Sequence, residues 1–517
     1  MVHRKENMRA KFSLRCPGVG WNSIVKKQKV WYTIHVMGAV EKCNATAGYG
    51  RVKGRDKRSM EESMSDWINI PKNVHILLNS LHAAGYEAYI VGGCVRDCLM
   101  GYKPKDWDIT TSAKPDQVKA IFRKTYDTGI AHGTVSVRLG EDVYEVTTYR
   151  VDGKYSDFRR PDEVSFTTSL REDLKRRDFT INAMAYDPKI GLIDYFQGKQ
   201  DLSEGRVRCV GDARERFQED ALRMLRALRF AAKLDFSIEA KTYEAMEEKA
   251  PLLANISQER ICDELTKLLL SDNPWRMRDV VETGLMAYCI PEFVPCASMP
   301  QRHPYHIFTV AEHTYASMQA VEADRILRWT MFLHDIGKPP THSEDENGCD
   351  HFYGHVKQSV AMADTILRRL RFDNASREKI LTLIAYHDCE LPDTELSMRK
   401  LLNKIGIPLF PDLWKVQVAD MRAQNPTLLE ERLEKAEATM ELYQRVRNQN
   451  PCVCLEDLAV NGWDLIAMGY PPGKAVGLVL RQLLEVVIEC PELNQRGILL
   501  ETAEKLKKKP EIQIYLG

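Results

Sequence analysis

The sequence predicts an α+β protein: a small head that mixes short strands with helices, followed by a mostly α-helical remainder. Two observations carry this expectation. Between about residues 86 and 149 short β-type runs recur, "YEAYIVGG", "DWDIT" and "VYEVTTY" among them. From "RFQEDALRMLRALRFAAKLDF" onward the apolar residues return at helical spacing, and beyond about residue 300 this pattern dominates. With 517 residues the chain exceeds one hydrophobic core, so about two to four domains are expected.

Composition narrows the class. A 44% hydrophobic content suits a well-buried soluble protein, and the formal net charge of zero announces no global attraction to a polyanion. Any nucleic-acid site must then be local. No window approaches eighteen unbroken apolar residues, so no membrane span and no membrane partner are expected. The 13 cysteines are scattered without paired zinc spacings, as suits a reducing cytosol, and a cytoplasmic location is expected. Cys452 and Cys454 read as small core residues.

The first sixty residues hold 14 Lys/Arg against 3 Asp/Glu and no sustained period. Residues 1–63 therefore read as a basic, disordered extension without chemistry. Periodic structure begins near Met64.

In the head, "VHILLNSLHAAG" has helical spacing and ends at glycine, and "YEAYIVGG" follows as a buried strand. Gly92–Gly93 turns that strand into the helix of "CVRDCLMG", where backbone N–H groups can approach phosphate and Arg96 can reach a triphosphate. In "DWDIT" the strand period of two sets Asp106 and Asp108 on one face and Trp107 on the other. Two carboxylates that close favour a cation between them, and Mg²⁺ bound with substrate phosphates answers that need. The competing reading is a solvated turn with two surface acids.

Downstream, "LREDLKRRDFTINAMAYD" sets Arg176, Arg177 and Asp178 ahead of an apolar run containing Asn182. An Arg177–Asp178 pair can both donate to and accept from a ribose 2′-hydroxyl, or it can be a basic helix end. The next helix is expected to run unbroken through "RFQEDALRMLRALRF". With Asp220 at zero, Arg223, Arg226 and Arg229 fall at about 300, 240 and 180 degrees, opposite most of its apolar residues. Asp220 and Arg223, three apart, would be neighbours on that helix. A carboxylate that accepts an amino proton beside a guanidinium that donates to a ring nitrogen matches the Watson–Crick edges of cytosine and adenine. Guanine and uracil present the reverse pattern. The protein would itself act as the template.

In this order "VGGCVRD", "DWDIT", "RRDFTINA" and "EDALRMLRALRF" resemble the bacterial class II CCA-adding tRNA nucleotidyltransferases of the polymerase-β superfamily, over roughly residues 70 to 300. The resemblance implies a mixed-sheet, polymerase-β-like head with Asp106 and Asp108 as Mg²⁺ ligands. It implies nucleotide contacts from Gly93, Arg96 and Arg177, a base- and triphosphate-reading set of Asp220, Arg223, Arg226 and Arg229, and Glu219 as a buttress for Arg223. Bacterial poly(A) polymerases share such a head but usually add a basic signature that this chain lacks. CC-only relatives lack part of the loop that here reads "DGKYSDFRRPDEVSF". Addition of C, C and A to the tRNA 3′ end from CTP and ATP is therefore the expected reaction.

A second constellation lies in the helical half: His313 in "AEHTYASM", His334 and Asp335 in "FLHDIGKPP", His355 in "HFYGHVKQS", His387 in "AYHDCE" and Asp420 in "VQVADMRAQN". Imidazole and carboxylate donors together suit a transition metal more than Mg²⁺ alone. The order resembles the HD superfamily of metal-dependent phosphohydrolases, with His313, His334, Asp335 and Asp420 at its core-ligand positions and His355 and His387 where two-metal members add ligands. The rival readings are a scaffold that binds RNA without hydrolysis, and a phosphohydrolase whose head is inactive.

These patterns divide the chain into a head over 64–203, a helical neck over 204–300, an HD body over 301–425 and a helical tail over 426–517. In the tail, Gly473 and Lys474 open an apolar helix and can grip one backbone phosphate, or simply cap and pack. The resemblance implies that this tail reaches the tRNA.

Overall fold

A computed structural model describes residues 68–153 and 164–514. Helix α1 (Lys72–Ala83) repeats buried Val74, Leu77, Leu78 and Leu81 along one face, and the chain leaves it through Gly85 at φ 86°. The strands follow as β1 (Ala88–Val91), β2 (Asp108–Thr111), β3 (Thr125–Gly129), β4 (Thr134–Leu139) and β5 (Asp142–Thr148), then β6 (Arg150–Asp152), β7 (Val164–Phe166), β8 (Met184–Asp187) and β9 (Gly191–Asp194). Seven of them form one sheet in the order β3-β4-β5-β2-β1-β8-β9, while β6 and β7 pair as a separate ribbon. The sheet is mixed: β2 runs parallel to β5, and β1 is antiparallel to both β2 and β8. All four β1 residues are buried, which explains a continuous apolar run rather than alternation.

Helix α2 (Gly93–Leu99) springs from β1, and α3 (Pro115–Ile121) covers the sheet near β4 and β5. The α1 leucines pack with Ile90, Ile109, Val135 and Val146 into a core belonging to the head. The stretch "DGKYSDFRRPDEVSF", on which full CCA addition was separated from CC-only addition, lies largely outside the described residues, as does the 1–63 extension.

Helix α4 (Leu170–Lys175) precedes β8, and after β9 the chain becomes mostly helical. The helix expected through "RFQEDALRMLRALRF" is two helices, α5 (Ala213–Glu219) and α6 (Leu222–Leu234). Asp220 is extended at φ −139° and ψ 103°, and its carboxylate accepts the Leu222 amide at 3.1 Å. The break is chemical in origin. A short acidic side chain competes for backbone N–H groups and so favours a helix start over a helix interior.

One large apolar core runs from Phe179 of the head through the neck and the HD body to Val453, crossing the divisions expected at 203/204, 300/301 and 425/426. A separate cluster from Cys452 to Ile512 belongs to the tail. Cys452 is buried there, but Cys454 is exposed and its thiol donates to Asp457 at 2.9 Å, so only the first of the two is a core residue. No helix among the described residues is long and apolar enough to cross a membrane.

Candidate active site and HD cluster

Asp108 opens β2, and the parallel register sets it beside Glu145 of β5. Asp106 lies two residues earlier, outside the strand and exposed, so the strand alternation expected for "DWDIT" holds only from Asp108 onward. Trp107 nevertheless packs against the head core, which leaves the flanking acids facing away from it. Gly92 turns β1 into α2 at φ 84°, a conformation an L side chain rarely adopts. A Cβ there would stand 3.1 Å from Arg177 Nη1 and 3.8 Å from Asp108 Oδ2. The turn, the guanidinium and the carboxylate thus meet at one corner. The conformational demand falls on Gly92, whereas Gly93 is the first helical residue.

Burial raises the Asp108 carboxyl above its ordinary range, Glu145 and Asp106 add to the rise, and Arg177 opposes it. A carboxylate crowded by two further acids forms a seat that a divalent cation relieves. The head residues fit such an ion.

A buried chain of hydrogen bonds stands behind this corner. Arg96, 4% exposed, donates to Asp97 Oδ1 through Nε at 2.9 Å and through Nη2 at 2.6 Å, and to Asn182 Oδ1 at 2.6 Å. Asn182 Nδ2 donates to Asp178 Oδ1 at 3.2 Å, which also accepts the Phe179 amide at 2.8 Å. The other oxygen, Oδ2, takes Nε and Nη2 of Arg226 at 3.0 and 2.6 Å. Burial alone would raise the Asp178 carboxyl, but Arg226 and Asn182 bring it down to about 2. Asp178 therefore faces protein partners on both oxygens, and the 2′-hydroxyl contact expected of it is not available without displacing one.

On α6, Arg229 donates to Glu264 of α7 (Gln258–Leu269) at 2.5 Å. The guanidinium carbons of Arg229, Arg226 and Arg96 lie 4.0, 5.8 and 5.2 Å from the Phe230 ring centroid. One aromatic ring thereby gathers three cations, a favourable contact for each.

Asp220 and Arg223 stay neighbours despite the helix break, because the Arg223 amide bonds the Asp220 carbonyl at 3.0 Å. Asp220 is held by Arg260 at 2.9 Å. Arg223 donates to Glu219 at 2.6 Å and to the Arg176 carbonyl at 3.2 Å. Residues 176–178 are thus pinned to α6 through Arg223 and Arg226, and to the acidic corner through Arg177. Arg223 and the acids are thus tied to one three-residue segment.

In the helical half, α8 (Val310–Ala320), α9 (Arg325–Leu333), α10 (His355–Arg369), α11 (Asn374–Tyr386) and α12 (Phe410–Arg422) supply or adjoin the second constellation. His313 Nε2 lies 2.9 Å from Asp420 Oδ1 and 3.2 Å from His334 Nε2. Asp335 lies 3.3 Å from His334, 3.6 Å from His355 and 3.7 Å from His387. All six predicted residues are brought together. Each of the four imidazoles turns Nδ1 toward a backbone carbonyl, of Ala423, Met331, Phe352 and Ile384 respectively, which leaves Nε2 inward. Both oxygens of buried Asp335 lack a hydrogen bond, though the Lys338 ammonium stands 2.7 Å from one. A buried carboxylate facing inward imidazoles fits a transition metal. The cluster opens into a cavity of about 840 Å³ that Lys338, Arg432 and Lys435 also line.

Sequence reasoning missed Glu145, Arg260, Glu264 and Lys338. Strand register brings Glu145 to Asp108, and helix packing brings Arg260 and Glu264 to α6, so neither signal is local. Lys338, three residues after Asp335 in "HDIGK", was visible.

The two sites and the mixed sheet define a template-free nucleotidyltransferase class whose head is joined to an HD body. Residues 88–208 match the Poly A polymerase head domain family, 235–296 the probable RNA and SrmB-binding site of polymerase A, and 304–433 the HD domain family. The CCA-adding enzyme of Limosilactobacillus reuteri is 35% identical over 447 residues, covering 84% of this chain and 96% of that relative. That of Enterococcus faecalis is 35% identical over 440 residues, covering 84% and 96%. The Bacillus stearothermophilus CCA-adding enzyme in complex with CTP superimposes with a TM-score of 0.66 at 30% identity, covering 85% of this chain and 98% of that one. The chain belongs to the CCA-adding enzyme family.

Proposed function

We propose that Asp106, Asp108 and Glu145 seat Mg²⁺ and that Asp220, just before α6, and Arg223 on α6 read the incoming base. The chain adds C, C and A to the 3′ end of tRNA from CTP and ATP, without a nucleic-acid template, and releases pyrophosphate. The observation that carries the site assignment is the pinning of residues 176–178 to both the acidic corner and α6.

The tRNA 3′-hydroxyl attacks the α-phosphate of the bound nucleotide, and pyrophosphate leaves on the opposite side. Bound Mg²⁺ supplies neutralising charge and a lowered hydroxyl pKa. Arg177, beside Asp108, orients the phosphates. Arg226 and Arg229, held by Asp178 and Glu264, meet the charge that develops on the leaving group. Asp220 accepts the exocyclic amino group of cytosine or adenine, and Arg223 donates to the ring nitrogen. Their partners Arg260 and Glu219 fix both side chains beforehand, so selection costs little rearrangement. A gel assay on tRNA ending at its discriminator base, with CTP and ATP given separately and together, tests the reading. Extension by CTP alone must stop after two residues, and addition of ATP must complete three.

A second reading rests on the HD cluster. His313, His334, Asp335, His355, His387 and Asp420 would hold a transition metal for phosphate-ester hydrolysis, with Lys338 and Arg432, which line the cavity, meeting the phosphate. Release of phosphate from a nucleoside 2′-monophosphate, lost in Asp335→Ala, tests this. A cytoplasmic location and tRNA contact by Gly473 and Lys474 accompany the reading. Gly473, at φ 105°, caps the apolar helix α13 (Lys474–Glu489), and it offers no side chain to the helix's first amides.

A further inference from the structure

We propose a third metal site, separate from the acidic corner and from the HD cluster, formed by Asp345, Cys349 and His351. These three offer a carboxylate oxygen, a thiol and an imidazole nitrogen whose atoms all lie within 4.8 Å of one another. They sit on a small hairpin in which Ser343 pairs with His351 and Glu344 with Asp350.

The hairpin is built to present them. The Asp345 amide bonds the Cys349 carbonyl at 3.0 Å, and the turn passes through Gly348 at φ 77°. Asp345 Oδ1 accepts the amides of Asn347 and Cys349, both at 2.9 Å. That leaves Oδ2 to face His351 Nε2 at 3.0 Å. The His351 ring is stacked on Tyr353, with centroids 5.3 Å apart and planes 7° from parallel, which fixes its direction. The adjacent acids are engaged elsewhere: Asp350 by Arg302 and His342, and Glu344 by Arg302. No described residue takes a hydrogen bond from the Cys349 thiol. One thiolate, one imidazole and one carboxylate suit Zn²⁺ in tetrahedral geometry with a fourth position for water. Binding releases the thiol proton to solvent, and the Asp345 carboxylate is already ionised. His351 and Tyr353 also line the HD cavity, so the ion would clasp the hairpin that borders its mouth.

Cobalt(II) distinguishes this site from the HD cluster, because the latter's six predicted ligands bring only nitrogen and oxygen. The full chain, stripped of metal and titrated with Co²⁺, is expected to develop a cobalt–thiolate charge-transfer band. Cys349→Ser is expected to abolish that band, and His351→Ala to weaken cobalt binding at the site about 10-fold or more. Asp335→Ala, which damages the HD cluster, should leave the band in place. Absence of the band in the natural chain, or its persistence in Cys349→Ser, overturns the proposal. Far-ultraviolet circular dichroism of each variant shows that the fold is retained.

Discussion

Arg226 places two hydrogens on a single oxygen of Asp178, at 3.0 and 2.6 Å, across 48 residues of chain. This contact ties the segment beside the acidic corner to the helix proposed to read the base. Asp178 has its carboxyl lowered to about 2 in the folded protein, against about 4 when unfolded. A depressed acid stabilises the fold above its unfolded pKa and loses that contribution as pH falls through the folded value. The contribution, about 2 kcal/mol, should be complete at pH 5 and fade between about pH 4 and 2. Urea denaturation across that window checks it: Asp178→Asn should show a weaker pH dependence there than the natural chain. An equal slope in both would remove the assignment.

Arg223→Ala is expected to erode selection rather than chemistry alone. With the guanidinium gone, the preference for CTP and ATP over UTP and GTP, read as kcat/KM ratios, should fall about 10- to 100-fold. Glu219→Gln should have a smaller effect in the same direction, because it loosens Arg223 without removing it. Unchanged ratios in Arg223→Ala would refute base reading by this residue.

Glu145 was invisible to sequence reasoning, and its test is independent of that reasoning. Asp108→Asn and Glu145→Gln should each lower CCA addition about 100-fold or more, since each takes one charge from the cation seat. Neither should alter hydrolysis of a nucleoside 2′-monophosphate. Asp335→Ala should do the opposite, abolishing hydrolysis and sparing CCA addition. A loss of both activities in either set would point to unfolding, which circular dichroism checks.

Gly337, inside "HDIGK", leaves no room for a side chain. A Cβ would stand 2.5 Å from the His355 carbonyl oxygen and 2.5 Å from the Ser359 amide, both backbone atoms that cannot swing aside. Gly337→Ala should therefore cost about 1–3 kcal/mol and disturb His355. Thermal denaturation measures the first effect, and metal affinity of the HD cluster measures the second.

The legible parts of the molecule were those written in short spans of chain. The glycine turn, the "DWDIT" acids, the arginine row and the HD histidines each announce themselves within a few residues. The structure brings all six HD residues into one cluster, because a buried histidine–aspartate set spread over apolar helices has few other ways to be satisfied. What was not legible depended on neighbours distant in sequence. Glu145 reaches Asp108 only through parallel pairing of β2 and β5, and Arg260 reaches Asp220 only through helix packing. The helix break at Asp220 was misread for a different reason. Apolar spacing continues through "EDALRMLRALRF", whereas the cap chemistry of one aspartate decides where the helix restarts. Asp178 reads as a ligand contact beside Arg177, yet burial turns it toward Arg226.

The unbroken apolar interior from Phe179 to Val453 sets a limit on what such an enzyme can discard. Phe293, from the neck, lies 4.6 Å centroid to centroid from Phe332 of the HD body. Deleting the body would strip the helices beneath the polymerizing end of their counter-surface. An HD half that had lost every catalytic duty would still be retained by selection, as foundation rather than as tool.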